Sequence, residues 1–215
     1  MKGKNFLILS PHLDDAVLNC CNHILSWKKT GYKILVLNIF TKFGKGASRQ
    51  EIERKKEDLM VMEELALFWK NLDFIDGKYR HFDKKLVYRD NESLFSGKVS
   101  EYDSILPEMI FSKIKKLGMF DRIAVPLGIG KHADHILTRQ AAEENFPKNK
   151  LFYYIDFPYA LRRQNWKLSH LRMFTGKILS IRLMNEVKIK LLKKYTSQYD
   201  LLFKSKPFYP EILLQ

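Results

Sequence analysis

Histidine and aspartate crowd together at two places in this chain: His12, Asp14 and Asp15 within LILSPHLDDAV, and His132, Asp134 and His135 within PLGIGKHADH. Imidazole and carboxylate are the side chains that hold borderline divalent cations and that move protons near neutral pH. Each cluster follows a predicted strand: residues 6–9, a short apolar run with the length and character of a buried strand, and residues 121–125, DRIAV. The tips of parallel strands are where open α/β sheets bind ligands, and charge at the mouth of a buried strand is costly unless something there uses it.

Asp14 or Asp15 also suits the cap of a helix that starts near Ala16. A cap needs one carboxylate, however, and a second beside it repels the first. His12 and Asp15, spaced around a tight turn, can converge on a cation. A histidine from the second loop completes a three-ligand site with an open position if the two strands share a rim. Asp14 then serves as general base toward a water, and the remaining histidine as acid or oxyanion donor.

The elements that must position these residues are legible in outline. Residues 32–40 form a second apolar run, so strand, helix and strand make a βαβ unit with a parallel pair. Ser48 and Glu51 are spaced as a capping box, opening an amphipathic helix over 50–69, with a short strand over 71–75. Residues 77–103 are mixed in composition and too long for a simple loop, which predicts an insertion with partial structure near the active rim. A helix over 105–117 ends at Gly118. Strands over 121–125, 151–155 and 178–181 follow, with helices over 136–144 and about 183–203.

Composition sets the outer bounds. A chain of 215 residues, 46% hydrophobic and 29% charged, suits one compact domain spanning 1–215. Cys20 and Cys21 are neighbours, which disfavours a disulfide, and they lack metal or redox spacing, so they are expected to pack in the core. From about residue 161 onward there are 12 Lys and Arg against 3 Asp and Glu, a basic portion within a net charge of +14. It favours anionic partners or serves as a solvated face. No stretch has the length and apolarity of a membrane span, and residues 1–6 carry no signal-peptide pattern, so a cytoplasmic protein is expected. No zinc-finger, RNP or basic-region motif is present, so no nucleic acid is expected as partner. The Gly-x-Gly at Gly128 and Gly130 is an incomplete dinucleotide fingerprint. It leaves, as the alternative, a Rossmann-like nucleotide- or phosphate-binding module without hydrolytic activity.

SPHLDDAV together with GIGKHADH resembles the PIG-L/LmbE-like family of zinc-dependent de-N-acetylases, whose two motifs read roughly (A/S)HPDDE and HPDH. Arg54 through Asp58 echoes the family's R-x-x-E-D, and Tyr195, Ser197 and Gln198 echo its Y-x-S-Q. The resemblance implies an α/β fold, a Rossmann-like three-layer α/β/α sandwich with a mainly parallel sheet in a single LmbE-like deacetylase domain. It implies His12, Asp15 and His135 as metal ligands, Asp14 as general base, and His132 as the group that stabilises the oxyanion or protonates the leaving amine. Asp134 falls where a carboxylate orients a histidine. The implied cofactor is Zn2+, with Fe2+ as the other divalent metal. The implied substrate is a small molecule containing an N-acetyl sugar, N-acetylglucosamine-like, in anionic or lipid-linked form; the latter brings peripheral membrane contact. Lys131, Arg54 and Tyr159 are the expected substrate contacts, Lys131 as anchor for a phosphate or carboxylate. Two positions depart from the family pattern: Leu13 stands for Pro and Ala16 for Glu. Neither supplies a ligand in the family, but the missing Glu removes a charge near the site.

Overall fold

The architecture is that of a computed structural model, which describes residues 4–162, 177–203 and 209–215. Strand β1 (Asn5–Ser10) is followed by α1 (Asp15–Lys29), β2 (Lys33–Asn38), α2 (Arg49–Glu64) and β3 (Phe68–Asn71). A segment with a two-stranded hairpin, β4 (His81–Phe82) and β5 (Lys85–Leu86), and a single-turn helix α3 (Asn91–Leu94) leads to α4 (Leu106–Lys115). Then come β6 (Arg122–Pro126), α5 (Ala133–Glu143), β7 (Leu151–Tyr154), β8 (Ile178–Arg182), α6 (Glu186–Leu192), α7 (Thr196–Phe203) and β9 (Glu211–Leu214).

The seven-stranded sheet runs in the order β3-β2-β1-β6-β7-β9-β8. The first five of these strands are parallel, and β9 pairs antiparallel with both β7 and β8. Side chains alternate across β1, as strand geometry requires. Phe6 and Ile8 join α1, α2 and α6 in one apolar layer, with Val17, Cys20, Val61, Met62 and Leu191. Leu7 and Leu9 join α4 and α5 in the other, with Ile110, Ile114, Leu137 and Ala141. The result is an α/β/α sandwich. Connections from β1 pass over one face toward β2, while the connections into and out of β6 pass over the opposite face. The order therefore reverses between β1 and β6, the switch point where such sheets leave a crevice at their carboxyl ends.

Several boundaries differ from the sequence reading. The helix expected over 50–69 ends at Glu64, because Ala66 turns the chain at φ 47° and drops Leu67 into the core. The strand expected over 71–75 lies earlier, at Phe68–Asn71, and Ile75 makes a single parallel bridge to Lys42. The helix expected over 183–203 is two helices, capped separately at Asn185 and around Thr196. The capping box of Ser48 and Glu51 is present with both of its hydrogen bonds. Cys20 and Cys21 are buried free thiols. The insertion over 77–103 holds two 3-10 turns, the hairpin and α3. The basic portion from about 161 falls partly on 163–176 and 204–208, outside the described residues. Among the described residues no helix is long and apolar enough to cross a membrane.

Candidate metal centre

The first loop is built around Ser10, which ends β1. Its hydroxyl donates to His12 O and accepts from Ala16 N–H, closing the turn onto the start of α1. Asp14 occupies the helix cap position but makes no capping hydrogen bond; its carboxylate is paired with Arg54 of α2. Asp15 turns back instead, and its Oδ2 accepts from the His12 N–H at 2.9 Å. The same oxygen lies 3.2 Å from His12 Nδ1.

The second loop follows β6. Gly128 and Ile129 donate their N–H groups to Asp156 Oδ1, at the tip of β7. Gly130 lets the chain pass beside Tyr159, where any Cβ would run into the Tyr159 side chain. His132 then caps α5, its Nδ1 accepting from the Asp134 N–H at 3.1 Å. One turn into the helix, His135 is fully buried.

The two loops meet across the switch point. One ligand atom each from His12, Asp15 and His135 lies within 4.8 Å of the others, as do atoms of His12, His132 and Asp134. His135 Nε2 is 3.4 Å from Asp15 Oδ2, and its Nδ1 is 3.2 Å from Asp156 Oδ2. His12 Nε2 is 3.1 Å from Asp134 Oδ2 and 3.8 Å from Asp76 Oδ2. Lys131 sits at the loop tip at φ 62°, its stem against Gly97. The Tyr159 ring lies 5.0 Å from that of His135 and 5.7 Å from that of His132. Arg54, expected to contact substrate, is engaged with Asp14 in this structure.

The electrostatics follow from burial. The carboxylates of Asp14, Asp15, Asp76, Asp134 and Asp156 outnumber the guanidiniums of Arg54 and Arg80 in a space nearly free of solvent. Desolvation opposes charge on His12, yet hydrogen bonds to Asp134 and Asp15 and the charge of Asp76 lift it to about 10. His135 is desolvated too, and Asp15 and Asp156 raise it to about 9. Burial opposes ionisation of Asp15, but His135 and His12 hold it well below the usual carboxylate range. For His132 desolvation wins and pushes the imidazole well down, so it is neutral.

This surroundings suits a divalent cation. Among the described residues neither buried ring nitrogen of His135 makes a well-directed hydrogen bond, although each lies 3.2–3.4 Å from a carboxylate oxygen. Of the two overlapping groups, His12, Asp15 and His135 is the freer: His132 Nδ1 is used by the Asp134 N–H, and Asp134 is used by Arg80, Gly77 and His12. Asp76, Arg80 and Asp156 are the site residues that sequence reading passed over. Asp156 alone carried a signal, since it follows a strand on the same rim.

The two weak echoes of family motifs also meet. Tyr195 donates its hydroxyl to Asp58 Oδ1 at 2.7 Å, while Glu57 accepts from the Thr196 hydroxyl, the Ser197 N–H and the Ser197 hydroxyl. Glu57 thereby caps α7 from α2, and the helix that carries Arg54 is pinned from behind.

Comparison with known proteins adds the following. The family model described as PIG-L, GlcNAc-PI de-N-acetylase, matches residues 7–146. No curated protein matches the chain. A deacetylase of the teicoplanin biosynthesis pathway, in complex with teicoplanin, is similar in structure, with TM-score 0.73 at 21% identity over 98% of this chain and 97% of that one. The zinc-inhibited form of teicoplanin deacetylase gives TM-score 0.67 at 21% identity over the same shares, 98% and 97%. N,N'-diacetylchitobiose deacetylase from Pyrococcus horikoshii gives TM-score 0.59 at 16% identity over 99% of this chain and 83% of that one. At such identities the likeness is one of fold.

Proposed function

The chain belongs to the PIG-L, GlcNAc-PI de-N-acetylase family, and from that premise we propose that it is a divalent-metal-dependent hydrolase that removes the acetyl group from an N-acetylated amino sugar. The observation that carries this reading is the convergence of His12, Asp15 and His135, from the loops after β1 and β6, within 4.8 Å at the switch point of the sheet. Two imidazoles and a carboxylate with an open position are the donor set of a hydrolytic zinc site, and Fe2+ accepts the same set. When bound, the cation supplies a Lewis acid for the acetyl carbonyl and makes a nearby water more acidic.

The protein's own groups do the rest. Arg54 holds one oxygen of Asp14, which orients the other to take the proton of the attacking water. His132, with Nδ1 already accepting from Asp134, presents its Nε2–H to the oxygen that becomes negative in the tetrahedral adduct. As the C–N bond breaks, the proton held on Asp14 passes to the amine nitrogen, leaving acetate and a free amino sugar. Tyr159 and Phe95, packed around His132, form one wall of the space above it. Lys131 at the rim is the anchor for a phosphate or carboxylate on the substrate. The N,N'-diacetylchitobiose in the name of one neighbour supports a sugar as the acyl carrier.

The test is metal content and acetate release, measured together on wild type, Asp14→Asn and His135→Ala with N-acetylglucosamine conjugates of differing aglycone. Added metal is varied, because zinc inhibits a relative of the same fold. Wild type and Asp14→Asn should retain metal, with turnover in Asp14→Asn reduced about 10^2–10^4-fold. His135→Ala should lose metal and activity together. Normal metal content in His135→Ala would remove that residue from the ligand set.

A further inference from the structure

The insertion over 77–103 touches the candidate centre at several places, with Phe95 beside His132 and the Gly77 N–H on Asp134, and it brings one buried cation there, Arg80. Arg80 is buried between the rings of Phe40 and Tyr88, at 5.0 and 5.4 Å from their centroids. Its Nη1 lies 2.6 Å from Asp134 Oδ1 and donates to Ile75 O, and its Nη2 lies 3.0 Å from Asp103 Oδ2. Asp103 in turn accepts from the Tyr88 hydroxyl at 2.8 Å. The guanidinium is thus placed by one hydrogen bond to Ile75 O, ion pairs with Asp134 and Asp103, and two rings.

Its effect falls on Asp134. With Oδ1 taken by Arg80, Oδ2 is left to accept from the Gly77 N–H at 2.9 Å and to face His12 Nε2 at 3.1 Å. Gly77 is fitted to this corner, since a Cβ there would stand 3.1 Å from both Arg80 Nη2 and Asp134 Oδ1. A carboxylate held this way fixes the proton of His12 on Nε2 and leaves Nδ1, the nitrogen beside Asp15, as the donor toward a cation. Were the guanidinium absent, Asp134 would be a buried carboxylate short of its counter-charge, free to rotate away from His12 or take up a proton.

We propose that Arg80 is a positioning residue of the metal centre, setting the tautomer and direction of His12 through Asp134, so that the insertion over 77–103 is part of the working site rather than a surface elaboration. This rests on the metal-site reading given above. A purely structural Arg80 would neutralise Asp103 and Asp134 without affecting what His12 binds.

The experiment titrates metal-free protein with Co2+ against a competing chelator, following the visible absorption of the bound ion. Wild type, Arg80→Met, Asp134→Asn and the double variant are compared. Methionine keeps the apolar stem between Phe40 and Tyr88. Each single change should weaken Co2+ binding about 10–100-fold and alter the absorption band at saturation. The double variant should bind within about twofold of Asp134→Asn alone, because the two residues act in series. Arg89→Ala, an exposed arginine of the same insertion, should bind as wild type does. If Arg80→Met does not fold, Arg80→Lys carries the comparison, since one ammonium cannot span Asp103 and Asp134. Wild-type affinity with an unchanged band in the Arg80 variant, or losses that multiply in the double variant, would overturn the positioning role alone. A wild type that takes up no Co2+ overturns the metal site and this proposal with it.

Discussion

His132 has its proton placed for it by the backbone. The Asp134 N–H occupies Nδ1, and burial keeps the ring neutral, so the proton stays on Nε2. A neutral donor of this kind stabilises developing negative charge without giving up its proton. His132→Ala should therefore lower kcat about 10^2–10^3-fold while metal content, measured by elemental analysis, stays at the wild-type level. Loss of metal in that variant would assign His132 to the ligand set with His12 and Asp134. At this scale the sequence was informative where residues cluster: two groups of His and Asp, each after a predicted strand, mark a candidate site. Arg80 and Asp76 are isolated among other charged residues, and only the folded chain brings Arg80 to Asp134 and Asp76 to His12. Nothing local in the sequence marks such residues.

Helix boundaries obey contacts made far away in the chain. An apolar period continues from α6 into α7, which is why 183–203 reads as one helix. The break falls where Tyr195 is buried so that its hydroxyl can reach Asp58, and where Glu57 gathers the first donors of α7. The end of α2 was hidden for a related reason, because buried Leu65 and Leu67 extend the apolar pattern across the turn at Ala66. Asp58 offers a test of this joint. Burial, with help from the charge of Asp14, lifts its carboxyl to about 7 against hydrogen bonds from Tyr195 and Asn38. The folded protein thus holds this proton more tightly than the unfolded chain, where the group titrates near 3.8. Its stabilising contribution is complete below that value and is lost as pH rises to about 7. Thermal unfolding of wild type and Asp58→Asn between these limits should show the variant gaining relative to wild type as pH rises. A constant difference in Tm across the window would refute the assignment.

At the scale of the molecule, four of the five parallel strands were readable, as short segments rich in apolar residues separated by helices, whereas β3 (FWKN), with Lys70 and Asn71, was placed too late in the chain. In the antiparallel half β8 was readable as the run over 178–181, and β9 was not. EILL at 211–214 is too short to stand out, yet all four residues of β9 are buried. Its Glu211 accepts from Asn22 N–H, His23 N–H and Lys188 Nζ, and lies 2.9 Å from His23 Nδ1. Burial works against the charge, but His23 and Lys188 keep Glu211 below its ordinary value. Removing one partner of such a group strands the other. Glu211→Ala should lower the free energy of unfolding by about 3–5 kcal/mol, read from urea denaturation, and a loss within the range of a surface substitution would show the network to be slack.

The place of β9 between β7 and β8 has a consequence for how the molecule comes into being. A nascent chain on the ribosome that has emerged only as far as residue 182 contains β8 but not its sheet partner, since among the described residues β8 pairs with 211–214. The loops that carry His12 and His135 are by then long since made. The proposed metal ligands are made early in synthesis, well before the strand that ties α1 to the far edge of the sheet.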